Sequence, residues 1–313
     1  MRAVDLLSPP ARAFLKTRPF GGIPPLPRPD LWLPRVRAQQ ARDRRAEVET
    51  VARAHLEPAV HGTCADVPVV TWTPREPAPG AGSLVYLHGG AYVLGSAYDV
   101  SGALLAATTG RRVVSLDYSL APEAVYPVAL EESIAVWSAL RADQTGPLGL
   151  VGVSAGGNLA LATVLELAAR RVPLPDVLGL MTPCVDLRLV GDSHESNRRR
   201  DPVLASRRQI EMAVRLFLAG ADPLDPLVSP VFADFGAVDG WPPTMITTGT
   251  RDLLLSDATR LYWRMRDGGA EVHLRVWEGM WHGFTSESEV PEGELGRREL
   301  GAFLVEGLQQ AAT

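Results

Sequence analysis

The 313-residue chain is short of lysine, of cysteine and of long apolar runs, and each shortage closes off a class of function. Lys16 is its single lysine, and 31 basic against 36 acidic residues leave a net charge of −5 with the signs interspersed. That balance lacks the basic stripe a nucleic-acid partner requires. Cys64 and Cys184 are the two cysteines, far apart and without CxxC spacing, so neither a zinc knuckle nor a disulfide framework is expected, which fits a cytoplasmic location. No stretch approaches the roughly 18 consecutive apolar residues of a membrane span, and the apolar run near the N-terminus is too short for a signal peptide. What the chain does have is 46% hydrophobic residues, ample for one enzyme-sized unit with a substantial core.

The informative stretch is LGLVGVSAGGNLALATVLELAAR, residues 148–170, which changes its hydrophobic period at Ser154. LGLVGV reads as a strand buried on both faces, and the Ala- and Leu-rich segment after Ser154 reads as a helix. A strand that becomes a helix within two residues bends sharply, and Gly152, Gly156 and Gly157 remove the Cβ atoms that would collide there. G-x-S-x-G in this setting is a nucleophile elbow, which presents a serine hydroxyl at a strand's C-terminal end.

Around it, apolar strands alternate with helix-compatible segments. SLVYLHGG, RRVVSLDY, VLGLMTPCV, PTMITTGT and EVHLRVW read as strands; about 101–109, 128–142, 256–269 and 294–310 read as helices. The alternation implies an α/β fold with a mostly parallel sheet and its active site at the strand C-termini. VETVARAHL and DVPVVTWTP, from about Glu47, read as β-like. Two stretches do not alternate. Residues 1–45 are rich in Pro and Arg, with a break at PFGGIPPLPRPDLWLPR that rules out a continuous helix and apolar handholds at Phe14, Phe20, Leu31 and Trp32. The other is about 186–235. Both are candidates for a cap.

A serine hydroxyl needs a base, and the base needs an acid to orient it. Of six histidines, His282 in EGMWHGF follows the last strand in a glycine-flanked loop, the place where open α/β sheets carry catalytic groups; His273 lies within a strand, and His55, His61 and His194 lie elsewhere. Asp252, ending TMITTGTRD, supplies the order Ser, Asp, His; its rival Asp257 stands near a helix N-terminus, where an acid has an ordinary dipole explanation. HGGA, residues 88–91, supplies backbone N–H groups after an apolar strand, and Gly90, Ala91 and Ala155 are the expected oxyanion donors.

HGGAY (88–92), DYSLAPE (117–123), GVSAGG (152–157), the Asp252 segment and WHGF (281–284), in that order, resemble the hormone-sensitive-lipase-like family of microbial carboxylesterases. The resemblance implies an α/β-hydrolase core with a helical cap, hydrolysis of short- to medium-chain esters through an acyl-enzyme, no cofactor and no metal. It divides the chain into 1–45 (N-terminal part of the cap), 46–185 (first part of the core), 186–235 (cap insertion) and 236–313 (second part of the core). It also makes His88 a brace for the oxyanion loop. Two positions depart from the family pattern. Ala91 stands where a third glycine is usual, with its N–H intact, and Val153 stands where Asp or Thr usually precedes the serine. The expected substrate is a small-molecule ester, with a lactone hydrolase by the same triad as the alternative. A non-catalytic binding protein on the same fold is the rival from another class, and it predicts a missing triad residue. Tyr92, Met212, Phe217 and Phe284, neighbours of the oxyanion loop, cap and histidine loop, are expected to line the pocket, and the resemblance alone suggests a homodimer through a sheet edge.

Overall fold

The computed structural model describes residues 6–17, 29–80, 82–143, 146–204 and 207–312, with backbone only at 29–31. Phe20 and the side chain of Leu31 lie outside what is described. In chain order the elements are α1 (Pro9–Phe14), α2 (Pro29–His55), β1 (Val60–Cys64), β2 (Val67–Trp72), β3 (Ser83–Leu87), α3 (Val100–Thr109), β4 (Arg112–Leu116), α4 (Val128–Asp143) and β5 (Leu148–Val153). There follow α5 (Ala155–Arg170), β6 (Leu178–Met181), α6 (Asp192–Ser196), α7 (Arg207–Leu218), β7 (Thr244–Gly249), α8 (Leu255–Asp267), β8 (Val272–Trp277) and α9 (Pro291–Gln310).

Eight strands form one sheet in the order β1-β2-β4-β3-β5-β6-β7-β8. The β1–β2 and β2–β4 pairs are antiparallel and every other pair is parallel. The interior strands are covered on both faces, and β5 shows how: Leu148 and Leu150 pack into the cluster built with α4, α5 and α8, while Val151 and Val153 enter the cluster built with α3 and α9. The unbroken apolar run of this strand therefore still obeys the period-two alternation, with a hydrophobic layer on each side. At about 1.5–3 kcal/mol for each fully buried large aliphatic side chain, its four aliphatic residues anchor the middle of the fold. Because β3 lies beside β5, the loop after Leu87 emerges next to Ser154.

Two readings of the sequence are corrected. Residues 47–55 are the end of the helix α2, not a strand; Val48 and Val51 are buried on one face, a spacing of three that a helix satisfies, and Leu56, just past its end, is buried in a bridge to Pro74. The helix also takes in Pro29–Arg35 from the proline-rich stretch. Pro29 opens it, where its missing N–H is no loss, and Pro34, the sixth residue, lies past the first turn and forgoes one bond of the helical ladder. The expected boundary at 45/46 thus falls inside one continuous helix. The strand expected at VLGLMTPCV is also shorter, Leu178–Met181.

Candidate active site

Each chemical group in the centre of the cleft stands where a strand ends. Ser154 follows β5 with φ 57° and ψ −117°, a left-handed conformation that costs a non-glycine residue of order 1–3 kcal/mol. The surroundings enforce it. Ser154 N–H donates to Met181 O (2.9 Å) and its carbonyl accepts the N–H of Cys184 (3.2 Å). A Cβ on Gly152 would land on the carbonyl oxygen of Gly156, and one on Gly156 on that of Leu87, so only glycine lets strand, turn and helix pass this closely.

The fold brings Ser154, His282 and Asp252 into one hydrogen-bond chain. Ser154 Oγ lies 2.9 Å from His282 Nε2, and His282 Nδ1 lies 3.0 Å from Asp252 Oδ1. Asp252 is fully buried and accepts two further bonds, from Thr248 Oγ1 (2.8 Å) and from the N–H of Leu254 (2.9 Å). A carboxylate so supplied with donors accepts the Nδ1–H of the imidazole, which leaves Nε2 as the acceptor for the serine hydroxyl. Burial by itself lowers the basicity of His282, but the charge and hydrogen bond of Asp252 outweigh it and hold its pKa above the ordinary histidine value. The histidine loop is held from behind by the N-terminal segment, where Phe14 stacks on Trp281 with ring centroids 4.3 Å apart.

The rival groups have other duties. Asp257 accepts the N–H groups of Val185 (2.9 Å) and Asp186 (3.1 Å) and meets His194 Nε2 at 3.2 Å, tying the loop after β6 to α8. His273 lies on β8 beside Glu271. His88 faces away from proton transfer: its ring stacks on Tyr118 at 4.1 Å and its Nδ1–H donates to Gly89 O (2.8 Å). Burial depresses its pKa.

Gly90 and Ala91 line the cleft with Ser154, and Ala155 is the first residue of α5. Among the described residues, the N–H groups of these three have no protein acceptor. The N-terminus of α5 adds its partial positive charge at the same point. Ala91 and Tyr92 both have positive φ, 54° and 62°, so the loop after β3 carries strain at the position where a third glycine is usual.

The cleft continues into a cavity of about 500 Å3 between the strand ends and the cap. None of the four expected pocket residues lines it. Tyr92 turns its hydroxyl to Asn158 Oδ1 (2.7 Å) and stacks on Phe217 at 3.6 Å, both buried, so the pair fastens the loop after β3 to α7. Met212 misses because α7 presents Gln209, Ile210 and Ala213 to the cavity, and Met212 lies about 100° round the helix from Ala213. Phe284 is fully buried against Gly296 of α9. The wall is made instead by Leu94, Val100, Val153, Val203, Leu204 and Ile210 with α2 residues from Arg37 to Arg44. Val153 is therefore a wall residue, apolar where the family pattern carries a polar side chain. Asn158, whose Nδ2 donates to Val228 O (3.0 Å), sits one helical turn beyond the elbow and is not singled out by the sequence; its nearness to Ser154 is the one signal that marks it.

Comparison with known proteins agrees with this architecture. The sequence pattern of a family described as having the alpha/beta hydrolase fold matches residues 84–286. LipR of Mycobacterium tuberculosis, which carries the name of an acetyl-hydrolase, is 38% identical over 254 residues, covering 79% of this chain and 80% of that protein. The crystal structure of an esterase, E25, superposes with a TM-score of 0.87 at 32% identity, covering 96% of this chain and 94% of the other. An esterase structure from the bacterial hormone-sensitive lipase family gives 0.76 at 30% identity, covering 92% and 100%. No helix of the described residues is long and apolar enough to cross a membrane.

Proposed function

The chain belongs to the α/β-hydrolase-fold family, among its hormone-sensitive-lipase-like members, and is a carboxylic ester hydrolase; we propose that it works through Ser154, His282 and Asp252 by an acyl-enzyme route. The observation that carries this is the chain from Ser154 Oγ through the imidazole to Asp252, with both links at hydrogen-bond length. His282 Nε2 takes the serine proton as Oγ attacks the ester carbonyl. The N–H groups of Gly90, Ala91 and Ala155 receive the developing oxyanion, each such donor being worth roughly 3–4 kcal/mol in the transition state. His282 then returns its proton to the leaving alcohol, and water repeats the cycle on the acyl-serine.

The acyl group is short to medium in this reading. The name of the acetyl-hydrolase relative supports the short end, and a wall of Leu94, Val203, Leu204 and Ile210 in a cavity of about 500 Å3 supports apolar chains of modest length. The reading needs no cofactor, and two cysteines without framework spacing support a cytoplasmic location. Among the described residues its sheet ends in β8, which pairs there only with β7, and this edge supports a homodimer that size-exclusion chromatography tests. Hydrolysis of p-nitrophenyl esters of increasing chain length, beside a set of lactones, tests the substrate class. A maximum at acyl chains beyond about ten carbons, or a preference for lactones, contradicts it.

A further inference from the structure

Asp201 lies in the cap insertion, between α6 and α7, and is 2% exposed. One of its carboxylate oxygens, Oδ1, accepts the N–H groups of Val203 (2.9 Å) and Leu204 (3.2 Å), two residues that wall the substrate cavity. The other, Oδ2, accepts the N–H of Leu253 (2.8 Å), the residue after Asp252. Asn197, whose carbonyl accepts the N–H of Asp201, donates its side-chain amide to the carbonyls of Thr250 (3.1 Å) and Asp252 (2.9 Å). Resting on the triad reading above, we propose that Asp201 is a positioning residue that joins the cap wall to the triad acid, one oxygen setting the turn of Val203 and Leu204 and the other the backbone beside Asp252.

Three N–H donors converge on this carboxylate, the arrangement that an acceptor-only anion satisfies. Its charge acts on the base as well. His282 faces Asp252 and Asp257 from the β7–α8 region, Asp201 from the cap and Ser154 from the elbow, and the negative charge of Asp201 is among those that raise its pKa. Burial and the charge of Asp252 push the Asp201 carboxyl itself up to about 6, and Lys16, Arg198, Arg199 and Arg200 surround the surface hollow it borders.

The test is steady-state kinetics across pH for wild type, Asp201→Asn and Asn197→Ala. The amide of Asp201→Asn has one acceptor for donors on both sides, so kcat should fall about tenfold to 100-fold with KM changed far less. Loss of the negative charge should also move the acid limb of kcat/KM to lower pH. Asn197→Ala loosens the same loop without removing a charge, so its kcat should fall while the limb stays in place. Wild-type kcat and an unmoved limb in a folded Asp201→Asn overturn the proposal, as does an equal limb shift in both variants. If Asp201→Asn does not fold, Asp201→Ser, also neutral and with an oxygen left for Val203 and Leu204, is read by the same criteria. Ser154→Ala run alongside separates the two claims, because activity retained there defeats the triad reading itself.

Discussion

The strand ends and the cap wall face each other across one cavity, yet they are held by different means. On the strand side, position is fixed by hydrogen bonds and close backbone packing: Ser154 is locked by backbone bonds to Met181 and Cys184 and by glycines with no room for a methyl group, and Asp252 by three donors, the Leu254 N–H, the Thr248 hydroxyl and the imidazole. On the cap side, Val203, Leu204, Ile210 and Ala213 offer apolar side chains from a turn and one face of α7. A reacting atom tolerates little displacement, whereas an acyl chain needs only a complementary volume. The chemistry is thus built from close backbone packing and the selectivity from replaceable side chains.

Substitution on each side can break this contrast. The largest effect is expected from Ser154→Ala, which should lower kcat by about 10⁵-fold or more while the protein melts near the wild-type temperature; turnover within tenfold of wild type would place the nucleophile elsewhere. Next is Gly156→Ala, whose added methyl meets the Leu87 carbonyl; it should cost about 3 kcal/mol of stability, measured by denaturant unfolding, and activity with it. A cap substitution should behave in the opposite way. Ile210→Ala should leave stability nearly intact and raise kcat/KM for longer p-nitrophenyl esters relative to the acetate by about tenfold, the scale set by a missing methylene or two. A uniform loss across the series would mean that Ile210 serves the scaffold and not the pocket.

The acid limb sharpens the strand side further. In the proposed mechanism His282 must be neutral, and the carboxylate of Asp252 raises its pKa, so kcat/KM should fall on acidification already above the ordinary histidine range. A limb below pH 6 would show that the imidazole is not paired as described. The smallest effect belongs to Ala91→Gly. It relieves a left-handed alanine at φ 54° but adds freedom to the unfolded chain, for a net gain of at most about 1 kcal/mol in thermal unfolding.

The same contrast governs what could be read before the structure. Ser154, Asp252 and His282 are legible because each stands beside a short local signal: a period change with glycines, a strand end, a glycine-flanked loop. The expectation that Tyr92, Met212, Phe217 and Phe284 line the pocket rests on nearness in sequence to those signals, and nearness does not say which way a side chain points. Tyr92 and Phe217 went to each other, Phe284 to α9, and Met212 to another face of its helix. Residues 47–55 misled for a related reason: Val48 and Val51 fit a helix stripe, but the β-branched residues among them favour a strand locally, and the tertiary contacts of α2 decide the matter.

By itself, then, the sequence determined which groups gather at the strand ends. A strand buried on both faces, a turn only glycine can make and an ordered serine, acid and histidine are local consequences of residue type and spacing. The tertiary structure alone decided what stands opposite the serine: that α2 and α7 supply the wall, that Val153 belongs to it, and that Asp201 and Asn197 reach from the cap to the backbone around Asp252. Those partners are about 50 residues apart in the chain, and only packing, which minimises buried unpaired groups and empty space, brings them together.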